Sequence, residues 1–317
     1  MKSLMVVLCL ASLTVARVRA CDLCAIYAAE QAKESKPGWS AGVFEQYTYF
    51  GTLQEDGDKV SNPANQKLDS SITQLVLGYQ FNTRVGLQCN VPLIYRSFRR
   101  PEGASIKNGS ESGIGDVSLV AQVQLFEHLT EDTALTMIVL GGVKFPTGDS
   151  DRLKEEEHDE TPPPPGVPES AVHGHDLALG SGSFDGIVGG SVFGRWRRMY
   201  VTGSVQYAIR TEGDFHYQFA NDLIWSGGPG VFVVLTPTGT VGLQFNVAGE
   251  SKGNDQNHGE DTNDSGITSV FVGPAASATW RDQLSADVAV DIPVLENNTS
   301  LQIVPDYRLR VGITWRF

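Results

Sequence analysis

The sequence predicts an all-β chain, a transmembrane antiparallel β-barrel of about 12 strands. Three observations carry this prediction: an export signal heads the chain, apolar residues alternate with small or polar ones through segment after segment, and the connections alternate between short and long. Bulk composition agrees, since of 317 residues 41% are hydrophobic and 19% charged, too apolar for disorder and too polar for a bundle of membrane helices. With 24 Lys and Arg against 37 Asp and Glu, the formal charge is −13. Neutralising phosphates needs a basic face, so a nucleic-acid partner is excluded.

Residues 1–20 read as a secretory signal peptide: Lys2 supplies the positive start, residues 5–16 the apolar run, and Val18-Arg19-Ala20 the cleavage site. That run is shorter than the ~20 apolar residues of a spanning helix, and no later segment reaches such a length without charges or glycines. Cleavage after Ala20 leaves Cys21 first, the place where a lipoprotein carries its lipid, although Arg19 is a poor residue just before the site. Cys9 leaves with the signal, so Cys21, Cys24 and Cys89 remain. An odd number excludes a disulfide framework and makes Cys21-x-x-Cys24 the only sequence-local pair. In an oxidising compartment that pair can form a short disulfide, serve as a metal or redox site, or lie idle in a short helix with Ala25, Ile26, Tyr27, Ala28 and Ala29, a disulfide or an idle pair being the plainer expectation. Residues 21–38 precede the first strand, either as a periplasmic segment or as a plug in the lumen.

Residues 39–317 hold the barrel. Strands are expected at 39–51, 69–82, 84–96, 114–126, 132–146, 182–195, 198–211, 218–236, 240–251, 265–280, 283–295 and 305–317. In the third, Val85, Leu87, Cys89, Val91, Leu93 and Tyr95 alternate with Gly86, Gln88 and Asn90; in the fourth, Val117, Leu119, Ala121, Val123 and Leu125 alternate with Ser118, Gln122 and Gln124. Val201, Val205, Tyr207 and Ile209 repeat the pattern, as do Val241, Leu243, Phe245 and Val247. The eleventh sets Leu284, Ala286, Val288, Val290, Ile292 and Val294 against Ser285, Asp287, Ala289 and Asp291. In the last, Tyr307, Leu309, Val311, Ile313, Trp315 and Phe317 alternate with Arg308, Arg310, Gly312, Thr314 and Arg316, a period of two that no one-sided helix gives.

Strands this long suit a tilted bilayer crossing better than the usual soluble sheet. The tight links near 82–84, 127–131, 195–198, 236–240 and 280–283 fit periplasmic turns, and the polar links 52–68, 97–113, 147–181, 212–217, 252–264 and 296–304 fit external loops. Trp196, Tyr200, Trp225, Trp280, Tyr307 and Trp315 suit the interfacial girdles. Outer-membrane lipid is therefore an expected partner, and the terminal Phe317 after its alternating run looks like the signal read by the barrel assembly machinery.

Candidate chemistry sits in three places. The longest loop carries Glu155-Glu156-Glu157-His158-Asp159-Glu160, four prolines from Pro162 to Pro165, and His173-Gly-His175-Asp176. His158, His173, His175 and Asp176 are candidate ligands for a divalent metal, with Cys21 and Cys24 as a second donor pair. The plainer expectation for the loop is an acidic, proline-stiffened segment that repels itself and stays open. In the lumen, Asp287 and Asp291 lie one strand from Arg308, Arg310 and Arg316. Such charges either impose a transverse field that selects solutes or form a paired ladder that fills the interior. Catalysis is not expected: Gly148-Asp149-Ser150 runs into the acidic loop rather than a strand-to-helix turn, and none of the six histidines lies within an expected strand. No cofactor is implied, and without a Walker-type loop any transport runs down a gradient.

Three stretches taken together, Ser112-Gly-Ile-Gly-Asp116-Val-Ser118, Lys144-Phe-Pro-Thr-Gly-Asp149 and Leu179-Gly-Ser-Gly-Ser183-Phe-Asp185, resemble the outer-membrane transporter family named for the meta-pathway of phenol degradation. The resemblance covers nearly the whole mature chain in strand order. It implies a barrel for uptake of a small solute, often aromatic or hydrophobic. Read physically, the glycines let strands bend and pack closely, and Asp116, Asp149 and Asp185 accept hydrogen bonds from turn backbone at the external rim. The Cys21-x-x-Cys24 start and the histidine-bearing acidic loop depart from the family. The expected role is a passive channel or facilitator, the alternative a metal-binding or structural outer-membrane protein.

Overall fold

The computed structural model describes residues 37–103, 105–157 and 169–317. The signal segment, the pair Cys21 and Cys24, and His158 lie outside the described residues. Twelve long antiparallel strands form the barrel: β1 Gly38–Glu55, β2 Lys67–Gln80, β3 Val85–Glu102, β4 Ser118–Leu129, β5 Thr133–Lys144, β6 Asp185–Trp196, β7 Met199–Ile209, β8 Asp222–Thr236, β9 Gly239–Lys252, β10 Ile267–Trp280, β11 Leu284–Asn298 and β12 Leu301–Arg316. Each pairs with its sequence neighbour, and β12 returns to β1 in a seam running from Ser40 opposite Arg316 to Glu55 opposite Leu301. Closure follows from the solvent: hydrocarbon satisfies no backbone N–H or C=O, so a sheet in a bilayer cannot keep an edge. The described barrel is an outer-membrane barrel of the expected strand number and pairing.

The period of two sorts the side chains. On β1, Phe44, Gln46, Thr48 and Phe50 are buried inward while Trp39 and Val43 face out. Gln88 donates to Asn90 at 2.5 Å, Asn90 to Ser118 at 3.0 Å and Gln122 to Gln88 at 3.3 Å, so amides on neighbouring strands satisfy one another inside the wall. Trp196, Trp280 and Trp315, expected in the girdle, are exposed near the strand ends that share the short turns, and Trp39 and Phe317 are exposed beside them. At the other end Tyr307 stacks on Tyr49, with ring centroids 5.7 Å apart. Tyr200 departs from the expectation: it is buried, with its ring 4.6 Å from Phe232, because its register turns it to the lumen. The outer face is also less uniformly apolar than the alternation implies. Glu45 points outward and accepts hydrogen bonds from Ser71 and Thr73, each at 2.5 Å, and Tyr47 donates to Asp69 at 2.7 Å.

Two expected loops are largely sheet. Ser105–Ile114 continues the wall beside β3, pairing from Leu93 with Ile114 to Glu102 with Ser105, before the chain kinks at 115–117 into β4. The link 296–304 shrinks to a tight turn because β11 runs to Asn298 and β12 starts at Leu301. Above the membrane, Tyr217–Gln218, Gln256–Asn257 and Glu260–Asp261 form a small separate sheet. The main surprise is the longest loop. Where described, it does not stand open in solvent but folds into the external mouth of the barrel.

Candidate functional site

The plug is built from the loop's scarce apolar residues. Ala171, Val172 and Leu177 are buried against Phe50, Leu53, Leu68, Phe98 and Ile303 of the wall. Leu179 packs on Ile72 and Ile94, and Leu153 and Ala178 on Tyr217 and Phe219. Charge repulsion favours an open acidic loop, but burying these side chains against inward phenylalanines and isoleucines releases roughly 1.5–3 kcal/mol for each large one. Cationic side chains of the wall offset the acidity.

The wall holds the plug by polar contacts at its inward positions. Arg100 donates to the Val172 carbonyl at 3.1 Å and pairs with Glu155 at 2.7 Å, and Arg96 donates to the Ala178 carbonyl. Gln66 donates to the Glu169 carbonyl at 2.8 Å and accepts from the Ala171 N–H at 2.9 Å. Arg152 joins Glu155 to Glu111. Burial disfavours the charge on Glu155, but Arg100 and then Arg152 outweigh it and hold the carboxyl below its ordinary value. Glu156, buried beside His175, is pulled down to about 2, its burial outweighed by that imidazolium. His175 is held up to about 10 by Asp176 and Glu156 against the opposing effect of burial.

The plug's base is a node of buried charge to which all three glycine-rich stretches contribute. Lys144 pairs with Asp116 at 2.5 Å and Asp185 at 2.7 Å, and Arg210 pairs with Asp185 at 2.9 Å. Asp116 also accepts from the N–H groups of Thr147 at 3.1 Å, Gly148 at 2.9 Å and Ser181 at 3.0 Å; Asp185 accepts from Thr211 N–H at 3.1 Å. Asp149 accepts from Asp151 N–H at 2.8 Å. The anticipated role of these aspartates in rim turns is met, and Lys144 and Arg210 add a charge network that sequence reasoning missed. Their signal was available: both follow the inward alternation of their strands.

The lumen charges meet in specific pairs. Asp291 pairs with Arg310, at 2.7 Å to Nε, and also accepts from Asn246 at 3.1 Å. Arg308 pairs with Glu250 at 3.0 Å and lies 4.2 Å over the Phe271 ring. Backbone register places Asp291 opposite Arg308, so the side chains meet along a diagonal. Asp287 lies over Gly312. Arg316 reaches a cavity of about 350 Å³ at the periplasmic end, lined also by Phe44, Val76, Ile138, Gln80, Gln122 and Gln124. A smaller space of about 80 Å³ lies between plug and wall beside Ile94, Lys144 and Leu179. Within the plug, His173, His175 and Asp176 cluster, with donor atoms within 4.8 Å of one another.

No protein-family model matches the chain, and no curated protein sequence is similar to it. Among solved structures, the COG4313 outer membrane channel from Pseudomonas putida F1 matches with a TM-score of 0.59 and 14% identity, over 91% of this chain and 99% of that one. The β-domain of the Bordetella autotransporter BrkA reaches 0.45 with 9% identity, over 89% and 100%, and the CymD monoaromatic hydrocarbon channel 0.36 with 8%, over 89% of each. The first of these likenesses is one of fold, a closed antiparallel β-barrel.

Proposed function

We propose that the chain is a plugged outer-membrane channel, a facilitator through which a small solute with an apolar body and few polar groups, aromatic compounds included, moves down its gradient. The observation that carries this is the periplasmic-end cavity of about 350 Å³, whose walls mix phenylalanine, valine and isoleucine with glutamines, beneath a plug fastened mainly by side chains. An amphipathic cavity suits a solute that buries a ring and hydrogen-bonds one or two groups. The resemblance to the phenol meta-pathway family points the same way. Asp291 and Arg310, with Asp287 and Arg316 along the same wall, set the transverse field such a solute crosses. Outer-membrane lipid surrounds the barrel, and Phe317 engages the assembly machinery.

The filled mouth favours a second reading, a barrel of purely structural role. Planar-bilayer conductance of the refolded protein separates the two. The channel reading expects brief openings in the native protein, continuous current when residues 150–181 are replaced by a short glycine-serine linker, and block by phenol. Neutralising Asp291 or Arg310 should shift ion selectivity. Silence of both forms leaves the structural barrel.

A further inference from the structure

Two plug histidines converge on one aspartate, Asp176, which also caps the short helix Gly174–Leu177 by accepting from the His173 N–H at 2.9 Å. His173 is nine-tenths buried, and its Nδ1 makes no hydrogen bond; Asp176 Oδ2 stands 3.9 Å away, beyond hydrogen-bonding reach. Its other nitrogen, Nε2, faces Asp264 at 3.4 Å. His175 is more deeply buried, with Nδ1 3.1 Å from Glu156 and Nε2 3.5 Å from Asp176 Oδ1. The two rings stack with centroids 5.4 Å apart and planes inclined by 20°. Each imidazole thus sets one nitrogen against an outer carboxylate and turns the other toward Asp176.

That is the disposition of metal-ligating histidines, whose second nitrogen is oriented by a carboxylate behind it. Bonds of ~2.05 Å in a tetrahedron give donor separations of about 3.3 Å; Asp176 lies 3.5 and 3.9 Å from the two inner nitrogens, and the three donors, all within 4.8 Å of one another, draw together on the ion. An orphaned buried nitrogen is costly unless something fills the gap. We propose that His173 Nδ1, His175 Nε2 and the Asp176 carboxylate form a three-ligand site for a divalent transition-metal ion. Imidazole with one carboxylate selects zinc-like ions over calcium or magnesium, which take oxygen ligands. Glu156, Asp176 and Asp264 supply a negative field around the three donors. Glu156 belongs to the 3-10 turn Asp151–Glu157 and Asp264 to the loop before β10. The bound ion therefore ties the plug to a neighbouring external loop. The proposal stands independently of the channel reading.

The test is calorimetric titration of the full-length refolded barrel with zinc, with Cys21 and Cys24 replaced by serine so that the terminal pair contributes nothing. One ion per barrel is expected, weakened at least tenfold by His173→Ala or His175→Ala and lost in the double variant. Glu156→Gln and Asp264→Asn should weaken it about tenfold. Cobalt in place of zinc should show the intense visible bands of a four-coordinate site. Heat-modifiable gel mobility establishes that each variant is folded. Replacing His216 and His258, whose rings lie 4.8 Å apart elsewhere on the external face, should change nothing. Absence of stoichiometric zinc in the parent protein, its retention in the double variant, or its loss with His216 and His258 overturns the proposal.

Discussion

Lys144 is the residue on which the plug's base turns. It is buried between Asp116 and Asp185, both also buried, so the three share a site that water hardly reaches. A buried ion network adds little net stability over an apolar substitute, yet removing one member strands its partners and costs about 3–5 kcal/mol. Lys144→Met is therefore expected to lower the urea midpoint of the refolded barrel markedly. Adding Asp116→Asn should recover part of the loss, and an unchanged midpoint in Lys144→Met would show that the network is solvated. Lys144 was legible as inward-facing from alternation alone. Its two partners were not, because Asp116 stands just before β4 and Asp185 opens β6, and they meet at Lys144 only when β4, β5 and β6 stand side by side.

Among the elements, the plug is the most conditional. Arg100 anchors it through one carbonyl and one carboxylate, and charge-assisted contacts of this kind contribute about 2 kcal/mol. Arg100→Ala should raise open probability in bilayers while leaving the barrel's heat-modifiable mobility intact. The pH dependence has a definite sign. Because Arg100 and Arg152 hold the Glu155 carboxyl below its ordinary value, its contribution is present above about pH 4.5 and is lost as pH falls through the depressed value. Acidification below that point should open the channel, and Glu155→Gln should already be partly open at neutral pH with a flatter acid response.

Strand β8 carries a different constraint. Gly228 has φ of +155°, and a Cβ there would stand 2.0 Å from the Phe245 carbonyl oxygen on β9. Gly228→Ala should therefore reduce the yield of folded barrel, read as loss of the heat-modifiable band; normal assembly would show that the two strands separate easily. The number and order of strands were readable from period and turn spacing. The lengths at the external end were not: β1, β3, β11 and β12 continue as sheet above the membrane, and the polar stretch Ser105–Ile114 pairs with β3, because neighbouring strands supply hydrogen bonds that composition does not announce.

At the scale of the whole molecule, a closed wall and a filled mouth make a container with one wide end. The cavity of about 350 Å³ lies at the end of the short turns and the chain's last residue, and the external end is held by the plug. Replacing residues 150–181 by a linker should raise single-channel conductance at least tenfold, with the barrel still folded, since all twelve strands pair without the plug. Equal conductance before and after would mean that solute already passes beside the plug. In that case the paired charges of β11 and β12, rather than the loop, set the rate.

What the sequence by itself determined is the wall. Alternation specifies which side chains face lipid, the even strand number and turn lengths specify antiparallel closure, and both are local properties repeated along the chain. What only the tertiary structure decided is the fate of the longest loop and the pairing of the lumen charges. Read alone, Glu155 to Glu160 should repel itself into solvent. In the fold, Arg100 pairs with Glu155 and Arg96 holds the Ala178 carbonyl, both from inward positions of the wall, and Ala171, Val172 and Leu177 find an apolar ring to bury against. The diagonal meeting of Asp291 with Arg310 depends likewise on the stagger between β11 and β12, and that of Arg308 with Glu250 on the closed wall bringing β9 and β12 to face each other. Such contacts join residues from about 20 to more than 70 positions apart, and no local pattern encodes which inward charge will face which once the barrel closes.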